Sequence, residues 1–228
     1  PLILGEYADI SVLRDIESLN EASTEQYTWY HDYYQDIDQA KIMQEAGYTQ
    51  EQTRAVIQAS VENAQELRKY YLEASKAREG VAGLFLTHIF ESPNGWADGW
   101  FDDPYKPHFD ADYIRMSAGE NALLLPRETS NFRAGQTHTL TPALSLYGGQ
   151  DLEGAELRWT LLNGTETVTS GVAQTGIQLE NGHFYTLDPL EISFPDSEQA
   201  VRYTFHLELL QNGEILTENR WSLWGCPL

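Results

Sequence analysis

The chain has 228 residues and carries 35 Asp and Glu against 14 Lys and Arg, a formal charge of -21. Such a surface repels phosphate backbones and anionic lipid, which argues against nucleic-acid and membrane partners. Hydrophobic residues at 41% and aromatic residues at 12% suffice for a packed core and argue against disorder, and no apolar run reaches the ~20 residues of a membrane helix.

The length allows one large or two modest domains. A single cysteine, Cys226, excludes an intrachain disulfide and a cysteine cluster for zinc, and leaves the compartment open. The chain opens on Pro1 rather than Met or a processed export signal, so its start reads as cut from something longer.

Taken in chain order, the apolar run Leu2-Ile3-Leu4 predicts a strand buried on both faces. A helix is expected from Ser23 or Thr24, where Ser23 and Gln26 have capping-box spacing, with Tyr27, Tyr30, Tyr34 and Ile37 on one face and Gly47 as its stop. A second helix follows Thr49, with Gln52 three positions on. Its expected stripe is Ile57, Val61, Ala64, Leu67, Tyr71 and Ala74, ending at Gly80. The run from Val81 to Phe90 is a second buried strand. Strand, helices, strand is the order of a parallel unit with a right-handed crossover. Two strands do not make a stable parallel sheet, so this half is expected to be a fragment that leans on a missing segment or on self-association.

From Ala122 onward the pattern changes to seven short strands, near 122–126, 137–147, 155–162, 166–174, 183–193, 200–210 and 214–224. Asn163-Gly164, Asn181-Gly182 and Asn212-Gly213 predict hairpin turns, because two-residue turns need positive φ. Tyr203, Phe205, Leu207 and Leu209 alternate with Thr204, His206 and Glu208, the period of a half-buried strand. Trp159 is expected to be a buried aromatic of the third strand. The size is that of an immunoglobulin-like sandwich. The expected domains are 1–118 and 119–228.

Three segments carry a family resemblance. Pro1-Leu2-Ile3-Leu4-Gly5-Glu6-Tyr7-Ala8-Asp9 resembles the seventh barrel strand of family 2 β-galactosidases and their relatives, which ends in a catalytic nucleophile. Ala82-Gly83-Leu84-Phe85-Leu86-Thr87, continuing to Asn94-Gly95-Trp96 and Gly99-Trp100-Phe101-Asp102-Asp103-Pro104-Tyr105-Lys106-Pro107, resembles the eighth strand and its succeeding loop in β-galactosidase-like and β-glucuronidase-like enzymes. Glu218-Asn219-Arg220-Trp221-Ser222-Leu223-Trp224 and Pro227 resemble the Asn-x-Trp-x-Leu-Trp ending of the sandwiches that come after such barrels.

The resemblance implies an α/β plus all-β chain: the last strands and helices of a (β/α)8 glycosidase barrel, then an immunoglobulin-like β-sandwich. It implies a retaining glycoside hydrolase, with Glu6 as nucleophile, acting on a β-linked sugar. A carbohydrate substrate would meet Tyr7, His88, Trp96 and Trp100 at the C-terminal strand ends, where such barrels gather their sites. The second carboxylate of such a site, roughly 5 Å from the first, belongs to an earlier strand. Asn20-Glu21 lies downstream of Glu6 and does not match it, so the chain by itself is expected to be inactive. The sequence departs from the family by Leu86, Thr87 and His88 where many members place a Trp, by Asp9 where some have His, and by two helices between the strands.

Bland alternatives stand beside these roles. Glu6 is otherwise a surface carboxylate at a strand end, His88 a structural histidine, and Trp96 and Trp100 anchors for their loop. Asp102 and Asp103 suit turn caps, and His31-Asp32, adjacent on a helix, lacks metal-ligand spacing. Asn163-Gly164-Thr165 fits a glycosylation sequon but is explained by a hairpin. No phosphate loop, Ser-His-Asp arrangement or zinc signature is present, and no cofactor or metal is expected. The rival class is a non-catalytic carbohydrate-binding or interaction module.

Overall fold

The computed structural model describes residues 2–5, 8–13, 39–78, 80–85, 89, 99–101 and 106–227. The chain divides into two compact units, residues 1–75 with 80–113, and 76–79 with 114–228.

In the first unit, β1 (Leu2–Leu4) and β2 (Val81–Leu84) pair in parallel, with Ile3 opposite Gly83 and Leu4 opposite Leu84. The amide of Leu2 donates to the Gly80 carbonyl at 2.6 Å and that of Phe85 to the Leu4 carbonyl at 2.8 Å, so the two strands finish level. Between them lie α1 (Gln39–Glu45) and α2 (Gln50–Lys76). The expected helix start near Ser23 and its tyrosine face lie outside the described residues.

Helix α1 ends as the sequence predicts. Gly47 takes φ +93°, its amide donates to the Gln44 carbonyl and that of Tyr48 to the Met43 carbonyl. This is a Schellman closure, which satisfies carbonyls the helix leaves over. Helix α2 opens on a reciprocal capping box: the Thr49 amide donates to Gln52 Oε1 at 2.9 Å and the Gln52 amide to Thr49 Oγ1 at 3.2 Å.

The buried face of α2 is rotated from the expected stripe. Ile57 and Ala64 are buried, but Leu67 and Tyr71 are exposed, and Thr53, Arg68, Lys69, Leu72 and Glu73 face inward instead. Apolar letters alone mislead here because the charged residues come with partners. Lys69 and Glu73, one turn apart, form a buried ion pair, and Arg68 donates to two backbone carbonyls. A buried charge is tolerated only when paired and hydrogen-bonded.

Helix α3 (Ala111–Ala118) was not anticipated by the sequence pattern. Its start is capped by Asp110 Oδ1, which accepts the Asp112 amide at 2.9 Å.

The second unit is a β-sandwich, which makes the chain mostly β. One sheet has the order β4-β12-β11-β7-β8: Asn131–Arg133, Glu214–Cys226, Val201–Gln211, Leu152–Asn163 and Glu166–Leu179. Facing it are β3 (Asn121–Leu124), β6 (Ala143–Leu146) and β9 (His183–Thr186), and the pair β5 (Thr137–Leu140) with β10 (Leu190–Ser193). Inward residues of both layers form one core, including Leu144, Leu146, Ile192 and Phe194 against Phe205, Leu207, Trp221 and Leu223. Burying each such side chain contributes about 1.5–3 kcal/mol, and it is the alternation of β11 that aims Phe205, Leu207 and Leu209 inward.

Several strand expectations are corrected. The predicted strands 137–147 and 183–193 are each two strands, β5 with β6 and β9 with β10, broken at Pro142 and Pro189. The breaks are level, with the Leu187 amide donating to the Pro142 carbonyl at 2.9 Å. Proline has no N–H for a ladder, so two prolines at one height split the layer. Strand β4, parallel to β12 with Asn131 opposite Trp224, is too short and polar to have been seen.

The turns sort by geometry. Asn212 at φ +55° and Gly213 at φ +83° join β11 to β12 as a two-residue turn with both central residues left-handed. In the β7–β8 hairpin Asn163 pairs with Glu166, so Gly164-Thr165, not Asn163-Gly164, is the central pair. Asn181-Gly182 makes no hairpin: it leads from β8 into the other layer, Asn181 Oδ1 accepting the Gly149 amide at 3.0 Å and the Gly182 amide donating to the Leu146 carbonyl at 2.7 Å.

Candidate functional site

The residues singled out by sequence come just after the level ends of β1 and β2. Glu6 stands two positions after Leu4, and His88 four after Leu84. Glu6, Tyr7, His88 and Trp96 lie outside the described residues, as do Asp102 and Asp103.

Ala8, the second residue after Glu6, is buried and holds φ +61°. A left-handed alanine costs on the order of 1 kcal/mol, and such strain collects at functional turns. The chain then runs through Ile10 to the buried Val12, and the Leu13 amide donates to Ser60 Oγ of α2 at 2.9 Å.

On the β2 side, the amides of Trp100 and Phe101 both donate to the Ile89 carbonyl, at 2.9 and 3.0 Å, and the His108 amide donates to the Trp100 carbonyl at 3.0 Å. Trp100 is 8% exposed, its ring edge-on to Phe109 at 5.8 Å. That burial suits a side chain that anchors the segment.

Arg68 joins the two sides. Its guanidinium donates to the Ile10 carbonyl at 2.9 Å and to the Gly99 carbonyl at 3.3 Å, and lies 5.6 Å from the Trp100 ring centre and 5.1 Å from that of Phe109. One planar cation thereby holds the segment after β1 and the segment after β2 to the same turn of α2, as a bidentate, stacking side chain can. Sequence reasoning missed it. The only signal was an arginine one turn after Ala64, in line with Ile57 and Ala64. Below it, Tyr113 donates its hydroxyl to the Gln65 carbonyl at 2.6 Å, and Lys69 lies 5.9 Å from the Tyr113 ring centre. Among the described residues of this unit, no three ligating side chains converge on a metal position.

Residues 136–227 match a family model described as a domain of unknown function (DUF8488). No curated protein sequence matches the chain. Among solved structures, a β-D-mannosidase from Dictyoglomus thermophilum is similar over 98% of this chain and 27% of its own, at 11% identity and a TM-score of 0.55. Its fold is shared. A β-glucuronidase from Parabacteroides merdae is similar over 46% of this chain and 14% of its own, at 19% identity and a TM-score of 0.32. The sporulation control protein Spo0M from Bacillus subtilis covers 46% of this chain and 48% of its own, at 17% identity and a TM-score of 0.34. The chain thus spans about a quarter of the mannosidase and half of Spo0M. No helix among the described residues is long and apolar enough to cross a membrane.

Proposed function

We propose that the chain is the C-terminal part of a retaining glycoside hydrolase that cleaves a β-linked sugar, with Glu6 as its nucleophile. On this reading the first unit supplies the last two strands of a (β/α)8 barrel and the second an immunoglobulin-like sandwich. The observation that carries the reading is the level, parallel pairing of β1 and β2. It gives the two sequence segments that resemble barrel strands the neighbour relation that consecutive barrel strands have, and Glu6 comes at the end where such barrels do chemistry. The fold shared with the mannosidase supports it.

The chemistry needs two carboxylates. The Glu6 carboxylate attacks the anomeric carbon as the bond to the leaving oxygen breaks. That oxygen takes its proton from an acid on a barrel segment outside this chain. Water, deprotonated by the same group, then displaces Glu6 and releases the sugar with its β configuration retained. Tyr7, His88 and Trp96 would line the sugar position. The buried Trp100 would serve it by holding its loop, and Arg68 by fixing the loops on both sides. With one carboxylate of the two, the chain alone turns nothing over and needs the barrel segment as partner.

The test uses the complete enzyme and aryl β-glycosides. Glu6→Gln should lower turnover by about a thousandfold or more while substrate binding persists, since an amide forms no glycosyl-enzyme. Glu6→Ala supplied with azide should release the glycosyl azide of inverted configuration, azide taking the vacated place. Near-normal turnover in Glu6→Gln would remove Glu6 from the mechanism. Oligosaccharide binding by a complete protein that hydrolyses no glycoside would favour the rival carbohydrate-binding module.

A further inference from the structure

We propose that His206, Glu208 and Glu218 form a binding site for a zinc-class divalent metal ion on the outer face of the five-stranded sheet. The residues come together through two periodicities. Phe205, Leu207 and Leu209 of β11 point into the core, so His206 and Glu208 share the opposite face. The β11–β12 register then sets Glu208 directly opposite Glu218. The ligating atoms of the three side chains all lie within 4.8 Å of one another.

A cation held between the two carboxylates would relieve their mutual repulsion. Like charges directly opposite on neighbouring strands are destabilising, and these carboxylates are half-buried rather than fully solvated. Glu218 divides its two oxygens: Oε1 accepts Arg115 at 3.1 Å, and Oε2 lies 3.0 Å from His206 Nε2. Glu208 makes no hydrogen bond or ion pair among the described residues; its register partner on β7, Arg158, gives its Nε to Glu156 instead. One half-buried carboxylate therefore faces another, with Arg115 on Glu218, Arg158 in register with Glu208 and Arg220 in register with His206 around them.

The donor set selects the ion. An imidazole nitrogen with two carboxylates suits zinc and its first-row neighbours, whereas calcium and magnesium call for an all-oxygen shell. Donors bound about 2.0–2.2 Å from a tetrahedral zinc stand roughly 3.3–3.6 Å apart. The present separations, all within 4.8 Å, would have to shorten by roughly an ångström. Arg115 on Glu218 would fix the orientation of the carboxylate from outside, as partners of metal ligands do. Three protein ligands leave a fourth position for water or for an anionic group of a ligand. No local sequence motif marks the site, because Glu218 reaches the other two only through strand pairing.

The site belongs to the sandwich and is independent of the glycosidase reading. Its test is made on the full chain after chelator treatment, titrated with zinc chloride by calorimetry and with cobalt(II) by visible absorption. One equivalent of zinc should bind, and cobalt should give the visible bands of a four-coordinate nitrogen–oxygen site. His206→Ala and Glu208→Gln should each weaken zinc binding at least about tenfold, while His183→Ala on β9 leaves it unchanged. Glu208→Gln changes a half-buried side chain without changing its shape, so circular dichroism should report an intact fold. Zinc should also raise the thermal midpoint of the original chain and not that of His206→Ala. Absence of stoichiometric zinc binding would overturn the proposal, as would original affinity in both variants.

Discussion

The two units solve the burial problem in opposite ways. The sandwich sends its apolar side chains inward from both layers, with Leu144, Leu207 and Leu223 wholly buried. In the first unit, Leu2, Ile3 and Phe85 are 56%, 59% and 66% exposed, while Arg68, Lys69 and Glu73 are buried, only 3%, 2% and 7% exposed. A closed sandwich provides a second layer for every inward side chain. A two-stranded parallel sheet does not, and strands of this apolar type are normally covered on both faces. The β1–β2 pair is therefore built for more neighbours than the described residues give it.

Hydrogen exchange would break this comparison most directly. In a monomeric sample, the amides of Leu2–Leu4 and Leu84–Phe85 should exchange about a thousandfold faster or more than those of Tyr203–Leu209, because local opening near β1 exposes little that is not exposed already. Equal protection in a confirmed monomer would make the first unit self-sufficient and count against the barrel-segment proposal.

Urea denaturation sharpens the comparison within the sandwich. Trp221 is 2% exposed and packs 6.2 Å from Phe205, so Trp221→Ala should cost about 3–5 kcal/mol. Trp159, expected to be the buried aromatic, is only half-buried, 6.3 Å from Phe205 and against the Cα of Gly171. Its replacement by alanine should cost about half as much. A larger loss at Trp159 than at Trp221 would invert the assignment of the core.

The smallest effect concerns Lys76, in the last turn of α2. Its ammonium donates to the Gly119 carbonyl at 2.8 Å, and burial lowers its pKa below the ordinary 10.5, with Glu120 partly opposing. Between the lowered value and 10.5 the unfolded chain binds more protons than the folded one, so stability should rise with pH through that interval. Thermal midpoints should show a shallow upward slope on the alkaline side, flattened in Lys76→Met. An unchanged slope in the variant would assign the effect elsewhere.

Much of this was legible where local chemistry decides. The Thr49–Gln52 box, the Gly47 stop, the inward row of β11 and the turn at Asn212-Gly213 each depend on residues within a few positions of one another. The closing segment was legible as a pattern and is now explained: Asn219, Trp221 and Leu223 all point inward, Asn219 donating to the Leu123 carbonyl at 2.7 Å. The features that escaped depend on partners far along the chain. Arg68 is tolerable inside because Ile10 and Gly99 present carbonyls to it and Trp100 and Phe109 their rings, and the broken strands required two prolines, 142 and 189, to arrive at one height. The Asn181-Gly182 turn has the composition of a hairpin, but its flanking strands choose different sheets.

The parallel pairing of β4 with β12 sets the order in which the sandwich is completed during synthesis. The Trp224 amide donates to the Ser130 carbonyl and that of Ala134 to the Cys226 carbonyl, closing contacts across more than ninety positions of chain. Chains emerge from the ribosome at roughly 5–20 residues per second, and the hairpins β7–β8 and β11–β12 can each zip within microseconds of their release. The β4 edge has no such local partner. Its partner β12 is made more than ninety residues later, so for several seconds of each synthesis the backbone groups of β4 lack the bonds they make in the finished sandwich.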